Sequence, residues 1–370
     1  IISMMLPPLL LPLLLGCSPV DLAETPSTED FVLGEDDGIG NVVAIQAWMD
    51  PTAYATEENF DQRLREYLDD AKRRGWLFED TVVVLPEHLA TWLIVIDEAN
   101  GVIEADTAEQ ALKRMVPGNL SKFLSLRQDA PAEDAEQYAL FALKSEQVAE
   151  VWQRVSKSIA RDYGITLVAG SAWLPGPQFV DGTLTVNVGQ PMRNVSFVLG
   201  PDGQLVGELI SKSFPSDSEQ DLVAPGDLSL NATVPTVLGE VAVLLGEDAW
   251  YPDAWSQVRP NTPIVAVSPH WTSPGGAWHD LWGGYSGFEA PADVSFVDEK
   301  EMIYSDAIIE YGLPGRLFDH GVREGVTVPL RGQLWDLGTD GAIVGVHRKI
   351  PTEGPLVNAP VLLNLWLPQR

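Results

Sequence analysis

Residues 241–255, VAVLLGEDAWYPDAW, bring a run of apolar side chains directly to a glycine and two acids. The run VAVLL predicts a buried strand, and the ends of such strands often carry catalytic groups. The position at the predicted strand tip is Gly246, which has no side chain. The stretch therefore has the surroundings of a reactive site without a reacting atom at its centre.

Two further predicted strands end in ionisable residues. The apolar stretch 81–89, TVVVLPEHL, ends at Pro86-Glu87, and the segment 193–212 predicts a hairpin that ends at Lys212. Taken alone, Glu87 is typical of a helix cap or a salt-bridged residue, and Lys212 of a solvated surface lysine. Asp248 is interpreted as a residue that caps its own turn. These residues become a candidate site only if the fold brings the strand ends together.

The order of predicted elements defines the fold class. Strands alternate with helices in the first half of the chain, and hairpins follow in the second, which predicts an α/β fold with a mixed sheet. The polar segment 98–145 is predicted to be partly helical, as an insertion or lid. The main predictions are strands at 41–49, 165–173 and 263–271, two strands within 325–349 on either side of residues 338–341, and helices at 57–75 and 145–164.

Composition excludes several classes of function. The 370-residue chain has 53 acidic and 23 basic residues and a formal net charge of −30, so it lacks the basic clusters that bind nucleic acid or anionic lipid headgroups. Its single cysteine, Cys17, excludes an internal disulfide and a thiolate metal cluster. No metal site and no cofactor are predicted, because neither a phosphate loop nor a metal-ligand spacing is present. The histidines, interpreted as packing or surface residues, are His88, His270, His279, His320 and His347.

The N-terminal residues predict a targeting signal. Residues 6–16, LPPLLLPLLLG, are shorter than the ~20 residues of a membrane-spanning helix but suit the apolar core of a signal peptide. Residues 14–17, LLGC, resemble the lipobox of bacterial lipoproteins. That resemblance implies a signal peptide over 1–17, lipidation of Cys17 and a flexible tether over 18–40. It places the protein at the bacterial cell envelope, on the outer membrane or periplasmic face. The alternative is an ordinary cleaved signal that happens to contain a cysteine.

A series of segments between residues 41 and 349 resembles the nitrilase, or carbon–nitrogen hydrolase, superfamily. In order they are AIQAW, VVVLPEHL, ITLVAGSAW, MRNVSFVLGPDGQLVGELISKSFP, VAVLLGEDAWYPDAW and PIVAVSPHW. The resemblance implies a four-layer α-β-β-α sandwich with mixed sheets over residues 41–350, followed by a C-terminal extension over 351–370. It also implies a homodimer.

The same resemblance implies a role for each site residue. Family members use Glu, Lys and Cys: the thiolate attacks a nitrile or amide carbon, the carboxylate moves the proton, and the ammonium stabilises negative charge. By position Glu87 is the base, Lys212 the cation and Glu219 a tentative further carboxylate. Gly246 stands at the cysteine position. Burial is expected to raise the pKa of Glu87 unless Lys212 lies close.

No neighbouring residue is an obvious substitute nucleophile. Cys17 lies more than 200 residues away in the sequence. Glu247 is expected to point to the opposite face of an extended strand. Ser211 and Ser213 are expected to point away from Lys212. Ser268 ends the following strand and is the remaining candidate.

Three functions are consistent with these residues. The first is a catalytically impaired, envelope-tethered protein that binds an amide, nitrile or acyl-amine ligand or a partner protein. The second is an active amidase-type hydrolase of non-peptide C–N bonds, in which Glu87 and Lys212 hold an attacking water. The third is a structural lipoprotein with a closed pocket. The tryptophans near the predicted site fill either the core or an apolar ring-lined pocket; they are Trp250, Trp255, Trp271, Trp278 and Trp282.

Overall fold

The computed structural model describes residues 20–228, 233–256, 258–259, 262, 264–268, 278–285, 287–338 and 341–369. Within these ranges the helices are α1 Glu57–Arg73, α2 Asn100–Ile103, α3 Ala108–Met115, α4 Leu120–Gln128, α5 Ala135–Ala142, α6 Ser145–Tyr163, α7 Pro252–Trp255, α8 Asp298–Glu301, α9 Tyr304–Tyr311 and α10 Leu313–Asp319. The strands are β1 Glu29–Leu33, β2 Asn41–Gln46, β3 Trp48–Met49, β4 Thr81–Val84, β5 Thr166–Val168, β6 Ala172–Pro175, β7 Gln178–Val180, β8 Thr183–Thr185, β9 Met192–Leu199, β10 Leu205–Ser211, β11 Thr233–Thr236, β12 Gly239–Leu245, β13 Ile264–Ser268, β14 Gly325–Thr327, β15 Arg331–Leu334, β16 Leu337–Gly338, β17 Val344–His347, β18 Ile350–Glu353 and β19 Val361–Trp366.

Two mixed sheets form the centre of the fold. The first has the order β1-β19-β2-β4-β5-β9-β10, with β6 also paired to β9. Strands β2, β4 and β5 are parallel, whereas β19 and β9 run antiparallel to their neighbours β2 and β5. The second sheet has the order β11-β12-β13-β14-β17-β18, with β12, β13 and β14 parallel. Apolar runs in the central strands suit sheets that are covered on both faces.

Side-chain alternation along the strands builds four layers. On β2, Val42 and Ala44 face the second sheet and pack in one core cluster with Val243 of β12. Val43 and Ile45 face the opposite way and pack with helices α1 and α6. The outer face of the second sheet packs against α10 through its buried leucines. The layers are therefore helix, sheet, sheet and helix, and the predicted α-β-β-α class is confirmed.

The two long helices begin and end close to the predicted residues. Thr56 caps α1 by accepting a hydrogen bond from the backbone N–H of Asn59 at 3.1 Å. Helix α6 ends at Gly164, which adopts a φ of 63° in the left-handed region that favours glycine. Both helices bury one apolar face against the first sheet and leave their charged face in solvent.

The chain ends contribute more to the first sheet than the sequence indicates. Residues 351–370, expected to follow the main domain as an extension, include most of β18 and all of β19, and β19 lies between β1 and β2. Strand β1 comes from the segment expected to form a tether. The run Val361–Leu365 is fully apolar except for one asparagine and is buried, because it supplies an interior strand. The pairing partner of such a strand cannot be recognised from local pattern.

The segment 98–145 folds against the rest of the protein. It forms helices α2 to α5, and Val102, Leu112 and Phe141 are buried in the same core cluster as α1 and α6. The predicted signal peptide over 1–17, with Cys17, lies outside the described residues. Among the helices that the structure describes, none has the length and apolar character needed to cross a membrane.

Candidate active site

Three strand ends meet at one edge of the double sheet. Glu87 lies three residues beyond β4, Lys212 directly follows β10, and Gly246 directly follows β12. The first two strands belong to the first sheet and the third to the second sheet. Because the two sheets pack face to face, the side chains beyond these strand ends converge in the space between them. Glu87 and Lys212 are both buried, with 1% and 0% of their surface exposed.

Lys212 is the centre of a cluster of carboxylates. Its Nζ lies 3.0 Å from Oε1 of Glu87 and 2.6 Å from Oε2 of Glu219. Glu247 forms a third ion pair with the same Nζ. The structure thus brings together all four residues singled out from the sequence, Glu87, Lys212, Glu219 and the neighbouring Gly246, and adds Glu247.

The two carboxyl oxygens of Glu87 differ in their surroundings. Oε1 accepts a hydrogen bond from Nδ2 of Asn194 at 2.7 Å and contacts the Lys212 ammonium. Oε2 is buried and has no hydrogen-bond partner among the described residues. It lies 2.7 Å from the position that a Cβ atom would take at Gly246. One oxygen therefore fixes the side chain, and the other faces the strand tip.

Burial controls the protonation of Glu87. Desolvation raises the pKa of Glu87 well above its ordinary value, the Lys212 ammonium opposes that rise, and the charges of Glu219 and Glu247 add to it. The sequence prediction allowed for opposition by Lys212 alone. Burial by itself would lower the pKa of Lys212, but the three neighbouring carboxylates raise it well above its ordinary value. The ammonium therefore stays charged.

Glu219 is held by groups that sequence reasoning did not identify. Its Oε1 accepts hydrogen bonds from Nδ2 of Asn194 and Nε1 of Trp173, both at 3.1 Å, and its Oε2 accepts from the backbone N–H of Ser216 at 2.9 Å. Asn194 bridges Glu87 and Glu219 and therefore sets their spacing. Its signal in the sequence is a polar residue in the apolar strand NVSFVL, since a buried amide needs a partner.

Gly246 adopts a backbone conformation that explains a wrong expectation for Glu247. Its φ of +50° lies in the left-handed region, and residues Gly246–Trp250 form a 3-10 turn. Strand alternation ends there, so Glu247 turns back toward Lys212 instead of pointing to the opposite face. A Cβ at position 246 would lie 2.7 Å from both Glu87 Oε2 and Lys212 Nζ.

Asp248 fixes the backbone that follows Lys212. Its carboxylate accepts hydrogen bonds from the backbone N–H groups of Ser213, at 2.9 and 3.1 Å, and Phe214, at 2.8 Å. Asp248 therefore caps the backbone of residues 213–214. The sequence had predicted instead that it caps the turn in which it lies. Burial raises the pKa of Asp248 to about 7, against the lowering effect of those hydrogen bonds.

His88 joins the cluster although the histidines lack a metal-ligand spacing in the sequence. Its Nε2 lies 3.6 Å from Glu219 Oε1 and 3.9 Å from Glu87 Oε1. One potential metal-ligand atom from each of Glu87, His88 and Glu219 lies within 4.8 Å of the other two. The Lys212 ammonium already contacts both carboxylates, and its positive charge opposes a cation at the same oxygens. The cluster therefore suits the ammonium better than a metal ion.

A cavity of about 350 Å³ adjoins Glu247. Trp250 and Trp282 line it, with ring centroids 5.4 Å apart and nearly parallel planes. Trp255 and Trp278 are instead buried in the core, with 0% and 2% of their surface exposed. The tryptophans thus divide between the two roles that the sequence left open, and Trp271 lies outside the described residues. The side chain of Ser268, the remaining substitute nucleophile, also lies outside the described part of the chain.

Comparison of the sequence with protein-family models and with curated proteins gives no match. Comparison of the structure with solved structures does. The amidase from Nesterenkonia sp. AN1, after thrombin removal of its His-tag, matches with a TM-score of 0.54 and 14% sequence identity, over 89% of this chain and 93% of that chain. A cysteine-to-serine mutant of that amidase, described as a member of the nitrilase superfamily, matches with a TM-score of 0.53 and 13% identity, over 90% of this chain and 93% of that chain.

The chain has the nitrilase fold. A third structure of the Nesterenkonia amidase carries the acetamide moiety of fluoroacetamide on its active-site cysteine, and it matches over 93% of each chain with a TM-score of 0.54 and 13% identity. At such low identity the likeness establishes the fold, and function has to be argued from the site itself.

Proposed function

We propose that this protein is a carbon–nitrogen hydrolase relative that has lost its nucleophile and binds an amide, nitrile or acyl-amine ligand, or a partner protein. The single observation that carries the proposal is the position of Gly246. Its missing side chain would point at Glu87 Oε2 and Lys212 Nζ, each 2.7 Å from the Cβ position. These are the groups that the resemblance implies for proton transfer and charge stabilisation. A thiol at position 246 would complete the set.

The remaining groups still suit the recognition of a polarised ligand. Lys212 stays charged and donates toward the carbonyl oxygen or nitrile nitrogen of a ligand placed over Gly246. Burial raises the pKa of Glu87, and its Oε2, which has no hydrogen-bond partner among the described residues, faces the same point. Without a nucleophile no covalent intermediate forms, and removal of a nucleophile typically leaves only ~10³–10⁴-fold acceleration over the uncatalysed reaction. The impaired site therefore binds more effectively than it turns over.

Turnover of amides tests this proposal against the second function, hydrolysis by a water held between Glu87 and Lys212. Wild type and the Gly246→Cys variant are compared on acetamide, acrylamide and propionitrile, both in a Cys17→Ser background so that position 246 carries the variant's single thiol. Gly246→Ala is the matched control, because it adds the same Cβ without sulfur. Ammonia release is measured under identical conditions.

The expected result is hydrolysis by Gly246→Cys alone, and its loss when Glu87→Gln is added. Turnover by wild type that disappears in Glu87→Gln would refute the proposal and support the water mechanism. The third function is a structural protein with a closed pocket. The cavity of about 350 Å³ lies beside Glu247 and its lining includes neither Glu87 nor Lys212, so the absence of any amide binding by the wild type would favour this function.

We also propose that the protein is anchored to the bacterial cell envelope through a lipid on Cys17, as the lipobox resemblance implies. Support comes from the position of the sole cysteine directly after the apolar segment. A homodimer, the second implication of the family resemblance, is part of the same proposal. Light scattering of the purified protein tests it, and a monomeric mass at micromolar concentration would contradict it.

A further inference from the structure

The cavity beside Glu247 is walled by aromatic rings. Five rings line it: Trp250, Tyr251, Trp282, Tyr285 and Tyr304. Trp250 is the centre of the group, with ring centroids 5.4 Å from Trp282, 6.1 Å from Tyr285 and 6.0 Å from Tyr304. Because each ring packs against others, the cavity wall is preformed and does not need to be ordered by a ligand.

The charged groups of this lining are all acidic. Glu247 and Asp217 line the cavity, and no lysine, arginine or histidine is found in the described lining. Aromatic faces and carboxylates together attract cations, because both present negative potential to a desolvated ammonium group. An anionic ligand is disfavoured by the same potential.

The ion pair of Glu247 with Lys212 does not cancel this negative charge. Lys212 contacts three carboxyl groups, Glu87, Glu219 and Glu247, so one ammonium leaves an excess of negative charge even when Glu87 is neutral. One ammonium then balances one of the two remaining carboxylates, Glu219 and Glu247. Glu219 is fully buried, whereas the Glu247 side chain is 23% exposed. The excess negative charge is therefore presented to the cavity through Glu247.

One polar group of the lining also lacks a partner. The hydroxyl of Tyr251 is buried and has no hydrogen-bond partner among the described residues. Tyr251 is only 5% exposed. A buried hydroxyl without a partner carries a desolvation cost, so Tyr251 brings to this lining a polar group that the described residues do not satisfy.

We infer that this cavity binds the ammonium end of a cationic amide or amine, with the amide end directed toward Gly246. The inference rests on the proposed function only for the amide end. The cation site itself is defined by the rings, Glu247 and Asp217. It extends the site by naming a ligand class, an aliphatic amide with an amino group a few methylene groups from the carbonyl.

Isothermal titration calorimetry with three small molecules tests the inference. 4-Aminobutyramide carries both ends, pentanamide is its neutral counterpart with a methyl group in place of the ammonium, and propylammonium carries the cation alone. We expect 4-aminobutyramide to bind at least roughly tenfold more tightly than pentanamide. We expect propylammonium to bind measurably, and we expect its affinity to fall as the sodium chloride concentration is raised.

Two substitutions at the edge of the cavity locate the site. Trp282→Leu removes a half-buried ring, and Asp217→Asn removes an exposed charge. Trp366→Leu is the matched control, since Trp366 is also half-buried and stacks on one ring, Phe78, outside the cavity. Propylammonium affinity is expected to fall roughly five- to tenfold in Trp282→Leu, less in Asp217→Asn, and to be unchanged in the control.

The outcomes separate this inference from the proposed function. Equal affinity for pentanamide and 4-aminobutyramide, no binding of propylammonium, or equal losses in Trp282→Leu and Trp366→Leu would each overturn the cation site. Amide turnover by the wild type would overturn the proposed impairment and leave the cation measurement unaffected.

Discussion

Replacing Gly246 by alanine tests whether the Glu87 and Lys212 side chains fill the space beside the strand tip. The φ of +50° at Gly246 makes any residue with a Cβ unfavourable by about 1–2 kcal/mol. The new methyl group would also lie 2.7 Å from Glu87 Oε2 and from Lys212 Nζ, whereas ordinary contacts of a carbon begin at about 3.5 Å. One or both polar ends must therefore move by several tenths of an ångström.

That movement strains the contacts that hold the cluster together. The Lys212–Glu87 contact is 3.0 Å long, and the Asn194–Glu87 hydrogen bond is 2.7 Å long. A hydrogen bond to a charged group contributes about 1.5–3 kcal/mol. We therefore expect Gly246→Ala to lower the free energy of unfolding by about 2 kcal/mol more than the backbone effect alone.

Gly164→Ala isolates the backbone effect. Gly164 has a φ of +63°, and a Cβ there would meet no atom within 4 Å. Both variants also gain the same unfolded-state restriction from alanine. The free energies of unfolding are measured by urea denaturation at pH 7. In a Glu87→Ala background the part of the extra cost that comes from the contact with Glu87 should disappear, whereas the contact with Lys212 Nζ remains. Equal losses in the two glycine variants would show that Glu87 and Lys212 do not occupy this space.

Three further predictions concern charge and anchoring. Lys212→Met leaves the buried carboxylates without their cation, so it should lower the free energy of unfolding by about 3–5 kcal/mol at pH 8; equal stability of variant and wild type by thermal denaturation at pH 8 would contradict this. The pKa of Asp248 is raised from 3.8 to about 7, so its protonated form stabilises the fold at low pH and that stability is lost as pH rises from about 4 through 7. Asp248→Asn should therefore show a weaker decline over this window, by at most about 4 kcal/mol, and parallel denaturation curves would refute the assignment. Cys17→Ser should move the protein from the membrane fraction to the soluble fraction of a bacterial host and abolish incorporation of labelled fatty acid, whereas unchanged fractionation would contradict lipid anchoring.

The class of fold was predictable because its signals are local. Apolar runs such as that of β4 and the 3–4 spacing of apolar residues in α1 define the elements, and their alternation predicts an α/β fold with a mixed sheet. The four-layer sandwich was implied by the family resemblance. The position of β19 was not predictable, because its partners β1 and β2 lie more than 300 residues away in the sequence. The local pattern indicates a strand and carries no information on its neighbours.

The site was predictable in its residues more than in its contacts. The family resemblance, read onto the strand ends, marked Glu87, Lys212 and Gly246, but the interaction of Glu247 with Lys212 depends on the positive φ at Gly246. Likewise, Asn194 lies between two carboxylates only because β9 runs beside the loop that carries Glu219. Such contacts arise from tertiary packing, which periodicity does not encode.

Covalent trapping tests most directly the claim that Gly246 stands at the position of a missing nucleophile. Intact mass is measured after incubation with fluoroacetamide, for the Cys17→Ser protein and for the same protein with Gly246→Cys. We predict that the cysteine variant gains the mass of one acetamide group, that peptide mapping places it on residue 246, and that Lys212→Met prevents it. A correctly folded Gly246→Cys variant that reacts no faster than a free thiol in solution would contradict the account.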